Sequence, residues 1–234
     1  MTNTNTTNTI HAIPWRREPL NALSQQQRDQ LLPLTSTLTL KKGQNAYNTG
    51  DRPDHIFYTL DGFLKSTIPS TADKQQIAKI SGPGEINGLR ALLANQPHQT
   101  SLTALQATTL LAIPRRALMP IIQQNPRLAL LFAQSLAEEL RQARLHETAL
   151  TTKQTRGRLA YTLLYLIQKF GTNPTTRQLN ISLTRQELAQ LSNMTTANAI
   201  RTLAAFNAEN TILIQKHDII ILDQQTLQKT SQHE

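Results

Sequence analysis

The chain has 234 residues, enough for two domains with a sizeable core, and a formal charge of +9 that favours an anionic partner such as nucleic acid. It contains no cysteine, which excludes disulfides, thiolate zinc sites and cysteine-held iron–sulfur clusters. A composition of 38% hydrophobic and 17% charged residues, without an apolar run long enough to span a membrane, is that expected of a cytoplasmic protein with no membrane partner.

The chain opens on a Thr/Asn tract, Met1 to Thr9, without the basic start or apolar stretch of a signal peptide, and residues 1–18 are expected to be a disordered tail. Pro19 to Leu34 reads as a short helical lead-in with Ser24 as its cap. From Lys41 the pattern changes. Six of the eight glycines lie between Gly43 and Gly88 and punctuate short strand-like pieces: 46–47, 56–60, 63–68 and 76–80. Two further pieces, 101–105 and 109–113, extend the series to Pro114. Short strands at close spacing with Gly turns indicate an all-β roll over 19–125.

Helix follows. Pro126 sits well at a helix N-terminus, and Leu128, Leu131, Phe132, Leu136, Leu140, Ala143 and Leu150 step by three and four residues behind it. This stripe over 126–150 has two readings: it packs on its own roll, or it pairs with a second copy along a coiled-coil-like seam, and the second is favoured. A further helix is expected from about Thr155 to Phe170, stopped by Gly171.

In the last domain, 151–234, nine Lys and Arg stand against five Asp and Glu. Thr184 with Glu187 makes a capping box, and Leu188 and Leu191 give the first helix its apolar face. Ser192-Asn193-Met194 breaks that helix. Thr195 caps a second, whose buried stripe is Ala199, Leu203 and Phe206. The β-branched runs 211–214 and 219–222 then predict a hairpin with 215–218 as its turn, placed as a wing. This is a winged helix-turn-helix, in which the second helix enters the major groove of double-stranded DNA.

No enzyme signature competes. Gly82 to Gly88 reads G-x-G-x-x-x-G, one residue off the dinucleotide fingerprint and without a βαβ unit, and there is no G-x-S-x-G or H-E-x-x-H. No metal site is expected.

The order β-roll, long helix, winged helix-turn-helix resembles the Crp/Fnr family of bacterial transcription regulators. The markers are Lys42-Gly43-Gln44, Gly50-Asp51, Asp61-Gly62, Pro83-Gly84-Glu85-Ile86-Asn87-Gly88, Ile113-Pro114-Arg115 and Leu183 to Ala189 with Arg201. The resemblance implies an α+β chain with a cyclic-nucleotide-binding-type jelly roll as sensor. It also implies a homodimer on a palindromic operator, with RNA polymerase as a partner if the protein activates. The candidate DNA-binding set is Thr184, Arg185, Thr195, Thr196, Ala197, Asn198 and Arg201. Arg201 matches the family's recognition arginine and can reach guanine O6 and N7 bidentately. Thr195 and Asn198 fall where relatives contact phosphate or sugar. Thr196-Ala197 replaces an acidic residue common in the family, which removes an acceptor for cytosine and makes the family's usual operator a poor guide.

The resemblance places the effector pocket at Gly84, Glu85, Gly88, Leu89, Gln99 and Thr100. Leu89 stands where cyclic-AMP members carry a ribose-binding Glu, and Gln99 where they carry a phosphate-binding Arg. Cyclic AMP is therefore disfavoured. Arg90 is one position off and, in a strand, would point to the other face. Haem stays open, with His55 and His98 as candidate ligands, although both are expected at the surface in turn-like surroundings. The other class to weigh is a ligand-binding regulatory module that docks on a partner protein; such modules lack the winged helix-turn-helix.

Overall fold

The computed structural model of the protein describes residues 18–69 and 75–234. The tail expected over 1–18 therefore lies outside the described residues, save Glu18. Among the described residues the chain divides into two compact units, 18–69 with 78–141 and 75–77 with 142–234, so that one boundary falls inside the long helix.

In the first unit, α1 (Gln25–Leu31) starts at the expected cap. Ser24 Oγ accepts from the Gln27 N–H at 3.2 Å, and Gln27 Oε1 accepts from the Ser24 N–H at 3.0 Å. Among the described residues eight strands follow: β1 (Ser36–Leu40), β2 (Asn45–Tyr47), β3 (His55–Asp61), β4 (Leu64–Ile68), β5 (Gln76–Ser81), β6 (Ile86–Asn87), β7 (Ser101–Ala104) and β8 (Thr108–Pro114). They form two four-stranded sheets, β1-β8-β3-β6 and β2-β7-β4-β5. β3 and β8 pair antiparallel with Phe57 opposite Ala112, and β4 pairs β7 with Leu64 opposite Ala104.

The central strands β3 and β8 are buried on both faces. Because side chains alternate, Ile56, Tyr58, Leu111 and Ile113 enter one core with Leu20, Leu31 and Leu92. Phe57, Leu110 and Ala112 enter the other with Tyr47, Leu64 and Leu102. This explains their unbroken apolar runs. β1 begins before Lys41, ahead of the expected change of pattern; its alternating Thr and Leu residues pair with β8, Ser36 opposite Ala112. The Gly88–Asn95 stretch is not strand but a short helix, α2 (Leu89–Ala94), bounded by left-handed Gly88 and Asn95.

Behind β8 come α3 (Arg115–Gln124) and α4 (Pro126–Thr152). Along α4 the expected stripe does not lie on one face: Leu140 and Ala143 are exposed. Leu128 and Phe132, with Leu136 partly covered, pack into the core of their own roll. A different set, Leu130, Ala133, Ala137 and Leu140, is exposed at spacings of three, four and three, with Leu130 and Leu140 open by 59% and 56%.

The second unit contains α5 (Thr155–Phe170), α6 (Arg185–Leu191), α7 (Thr196–Ala208), β9 (Ile212–Gln215), β10 (Asp218–Ile221) and α8 (Gln224–His233). Gly171, at φ +73°, ends α5. Leu159, Leu163 and Leu166 of α5 are buried, and Ser192 Oγ donates to Thr162 Oγ1 at 2.9 Å in the interior. The hairpin turn is the pair Lys216-His217, with Lys216 left-handed, rather than all of 215–218. A bridge from Gln178 to Ile220 adds a third short segment to the wing. α8, capped by Asp223 and anchored by buried Leu227, had no counterpart in the sequence reading. Among the described residues no helix is long and apolar enough to cross a membrane.

Candidate nucleic-acid interface

The helix pair is set by its caps. Thr184 Oγ1 accepts from the Glu187 N–H at 3.1 Å, while the Glu187 carboxylate takes the Thr184 N–H at 2.9 Å and its hydroxyl at 3.0 Å. Such a cap stabilises a helix start by about 1 kcal/mol. The turn passes through left-handed Asn193, a residue type that tolerates that conformation. Met194 N–H then bonds the Ala189 carbonyl at 2.9 Å. Thr195 Oγ1 accepts from the Asn198 N–H at 3.2 Å and starts α7.

Ala199, Leu203 and Phe206 seat α7 on the core as expected, leaving Thr196, Ala197, Ile200 and Arg201 exposed. The Arg201 guanidinium donates to Asn198 Oδ1, one turn back. Asn207 Oδ1 accepts the Ile214 N–H at 2.9 Å and ties the helix to the wing. At its far end Arg156 pairs with Glu209 and lies 4.8 Å above the Phe206 ring. Arg185 is half-buried and donates to the Lys216 carbonyl of the wing turn at 3.2 Å, and burial lowers its pKa. Its guanidinium thus braces the wing, while the Thr184 hydroxyl is engaged in the cap.

In the roll, Gly88 begins α2 at φ +86°, and Leu89 points into the core. Glu85 Oε1 accepts the Gly82 N–H at 3.0 Å and closes the turn through Gly84. His98 is not at the surface: it is 5% exposed, and its ring stacks on Tyr47 with centroids 3.6 Å apart. The chain pairing Gly50 N–H to the His98 carbonyl at 2.8 Å, and His98 N–H to the Asp51 carbonyl at 3.0 Å, draws it inward. A Cβ on Gly88 would lie 3.3 Å from His98 Cε1 and 3.8 Å from Tyr47 Cε1. The Tyr47 hydroxyl, pushed up to about 12 by burial, meets the side chains of Thr100 and Ser66. The aromatic pair thus spans the ground from Gly88 to Thr100. Arg90 also differs from expectation. It lies on a helix, so strand alternation does not turn it away, and its Nη1 donates to Gln99 Oε1 at 2.9 Å. A cation therefore stands beside Gln99. His55 is half-buried on β3, its ring 6.2 Å from that of Phe57.

The profile of the cyclic nucleotide-binding domain matches residues 37–125, and that of the Crp-like helix-turn-helix domain matches residues 157–230. The chain belongs to the Crp/Fnr family of transcription regulators. It is 24% identical over 187 residues to the CRP-like cAMP-activated global transcriptional regulator of Mycobacterium tuberculosis, covering 80% of this chain and 84% of that protein. To the cyclic AMP receptor protein of Thermus thermophilus it is 27% identical over 171 residues, covering 73% and 76%. FixK2 from Bradyrhizobium japonicum has the same fold, with a TM-score of 0.77 at 18% identity over 84% of this chain and 96% of that one. As a Crp/Fnr member the chain is a DNA-binding regulator, not an enzyme.

Burial holds the His98 imidazole below its ordinary value of 6.5, an effect to which Arg90 adds and which Asp51 opposes. The unfolded chain then binds the proton more readily than the folded roll. Stability is full above about pH 6.5 and falls as pH drops from there towards the folded-state value. Thermal melts of the wild type should lose more between pH 7 and pH 5 than those of His98→Phe, which keeps the stack without titrating. His146, also buried and lowered, contributes a similar slope to both.

Proposed function

We propose that this Crp/Fnr regulator acts as a homodimer on a palindromic operator, through a sensor that does not hold cyclic AMP as its namesake relatives do. The observation that carries the DNA reading is α7: capped by Thr195, it presents Arg201, held towards Asn198, on a solvent-facing surface beside the wing. Thr195, Thr196, Ala197 and Asn198 complete that surface, while Thr184 and Arg185 act by fixing α6 and the wing. The exposed seam Leu130-Ala133-Ala137-Leu140 supports pairing with a second copy, its alanines allowing two helices to approach closely. Two such units read half-sites about 34–36 Å apart.

The residues present do not fit a cyclic nucleotide bound in the usual manner. Leu89 is buried in the core where a ribose acceptor is needed, and the Tyr47–His98 stack lies against Gly88. Acting on a bacterial promoter places the protein in the cytoplasm, with RNA polymerase as partner if it activates.

The test is operator selection from random DNA with the full chain. Recovery of a palindrome with a conserved guanine in each half-site is expected. Arg201→Ala should weaken binding by about 1–3 kcal/mol per half-site and relax that guanine alone. Unchanged affinity and base preference in Arg201→Ala would refute the assignment.

A further inference from the structure

The outward surface of α7 holds one feature that the guanidinium does not explain. Ile200 is 50% exposed in the first half of the helix, between Thr196 and Ala204 and one step from Arg201. Single exposed apolar residues are ordinary, but this one is costly where it stands. A β-branched side chain loses rotamer freedom in a helix, and its neighbours Ala197, Ala199, Ala204 and Ala205 show that the segment otherwise uses the best helix former. With Ala197 and Ala204 it occupies positions i, i+3 and i+7, so three exposed apolar side chains line one edge of the helix. The charged group on the exposed face between Thr195 and Ala204 is Arg201, and this stretch contains no carboxylate to accept from cytosine.

Resting on the proposed DNA reading, we infer that Ile200, with Ala197, is a second specificity determinant that packs against the 5-methyl groups of thymines next to the guanine read by Arg201. The thymine methyl is the apolar group that the major groove offers, and an aliphatic edge is its complement. Hydroxyl and amide groups at Thr196 and Asn198 leave the rest of the half-site to contacts that do not need a carboxylate. The half-site is therefore a guanine flanked by thymines on the side of the helix N-terminus.

The test uses the full chain and the operator recovered by selection, run both with purified protein and in extract of cells that express it, so that any effector is supplied. Each thymine of the half-site is replaced by deoxyuridine, which deletes only the methyl. Wild-type binding should weaken roughly fourfold per contacted methyl, the change set by burying one such group. Ile200→Ala should bind more weakly on the thymine operator and lose the deoxyuridine effect at the thymine that Ile200 contacts, while any effect at a thymine held by Ala197 remains. Arg201→Ala should lose its guanine preference and keep the deoxyuridine effect. Ile200→Ala raises helix propensity, so folding is maintained, and circular dichroism checks it. Equal deoxyuridine responses of wild type and Ile200→Ala, or none in the wild type, overturn the assignment while leaving the operator reading intact. Failure to enrich any sequence in either arm overturns the operator reading, and this inference with it.

Discussion

Gly62→Ala should destabilise the roll by about 2–5 kcal/mol, the sum of a left-handed backbone forced on an alanine and of overpacking. Gly62 sits at φ +87° in the turn between β3 and β4, which belong to different sheets. An added Cβ would come within 2.7 Å of both the Ala107 carbonyl oxygen and Thr108 Cα. Those are backbone atoms and cannot swing aside. The same turn is locked to the β7–β8 connection by the Leu105 N–H on the Phe63 carbonyl at 2.9 Å, and by the Thr108 hydroxyl on that carbonyl at 3.2 Å. Gly50→Ala is the control. Gly50 has φ +91° but nothing within 4 Å of its would-be Cβ, so it carries the conformational cost alone, about 1–2 kcal/mol. Urea denaturation of the two variants followed by Trp-independent circular dichroism separates the terms. Equal midpoints would show that the backbone approach at Gly62 is relieved by a small shift.

What could be read from the chain was what is decided locally. Thr184 with Glu187, Thr195, and the Ala199, Leu203 and Phe206 stripe depend on neighbours within seven residues, and the structure places each as expected. The Gly-turn series likewise located β3 and β4 to within a residue or so, since the turn between them is set by a residue that adopts positive φ, and the apolar runs ending at Pro114 did the same for β7 and β8. The misses share the opposite property. β1 is a Thr-rich strand whose identity comes from pairing with β8, some seventy residues away. α2 has six residues, too few to show a period, and its boundaries lie in the left-handed residues at its ends rather than in its apolar pattern. His98 has polar neighbours in sequence, but its burial comes from pairing with the Gly50-Asp51 turn and stacking on Tyr47. Strand alternation misplaces Arg90 because its segment is a helix. For α4, leucines lie on more than one face, and no period can say which one the roll covers until the roll exists.

That last ambiguity sets the experiment with the largest consequence for function. Leu130→Lys combined with Leu140→Lys should leave each chain folded, because both side chains are more than half exposed and surface changes of this kind cost little. In a paired seam the same two lysines would meet their symmetry mates across a desolvated interface, where like charges are strongly unfavourable. Light scattering should then move from twice 26.2 kDa for the wild type to 26.2 kDa for the double variant. Operator binding should fall far more than either lysine could cause locally, since neither lies on the helix-turn-helix. Losing one of two linked half-site contacts forfeits an avidity of about 10²–10⁴-fold. The double variant should therefore bind whole operator and isolated half-site alike, whereas the wild type distinguishes them. Leu128→Lys makes the contrast, because Leu128 is fully buried in the roll and its loss should unfold the first unit rather than separate two copies. If the seam variant stays dimeric with full operator affinity, the leucines exposed on α4 serve something other than self-association, and the two half-sites must be brought together by another surface.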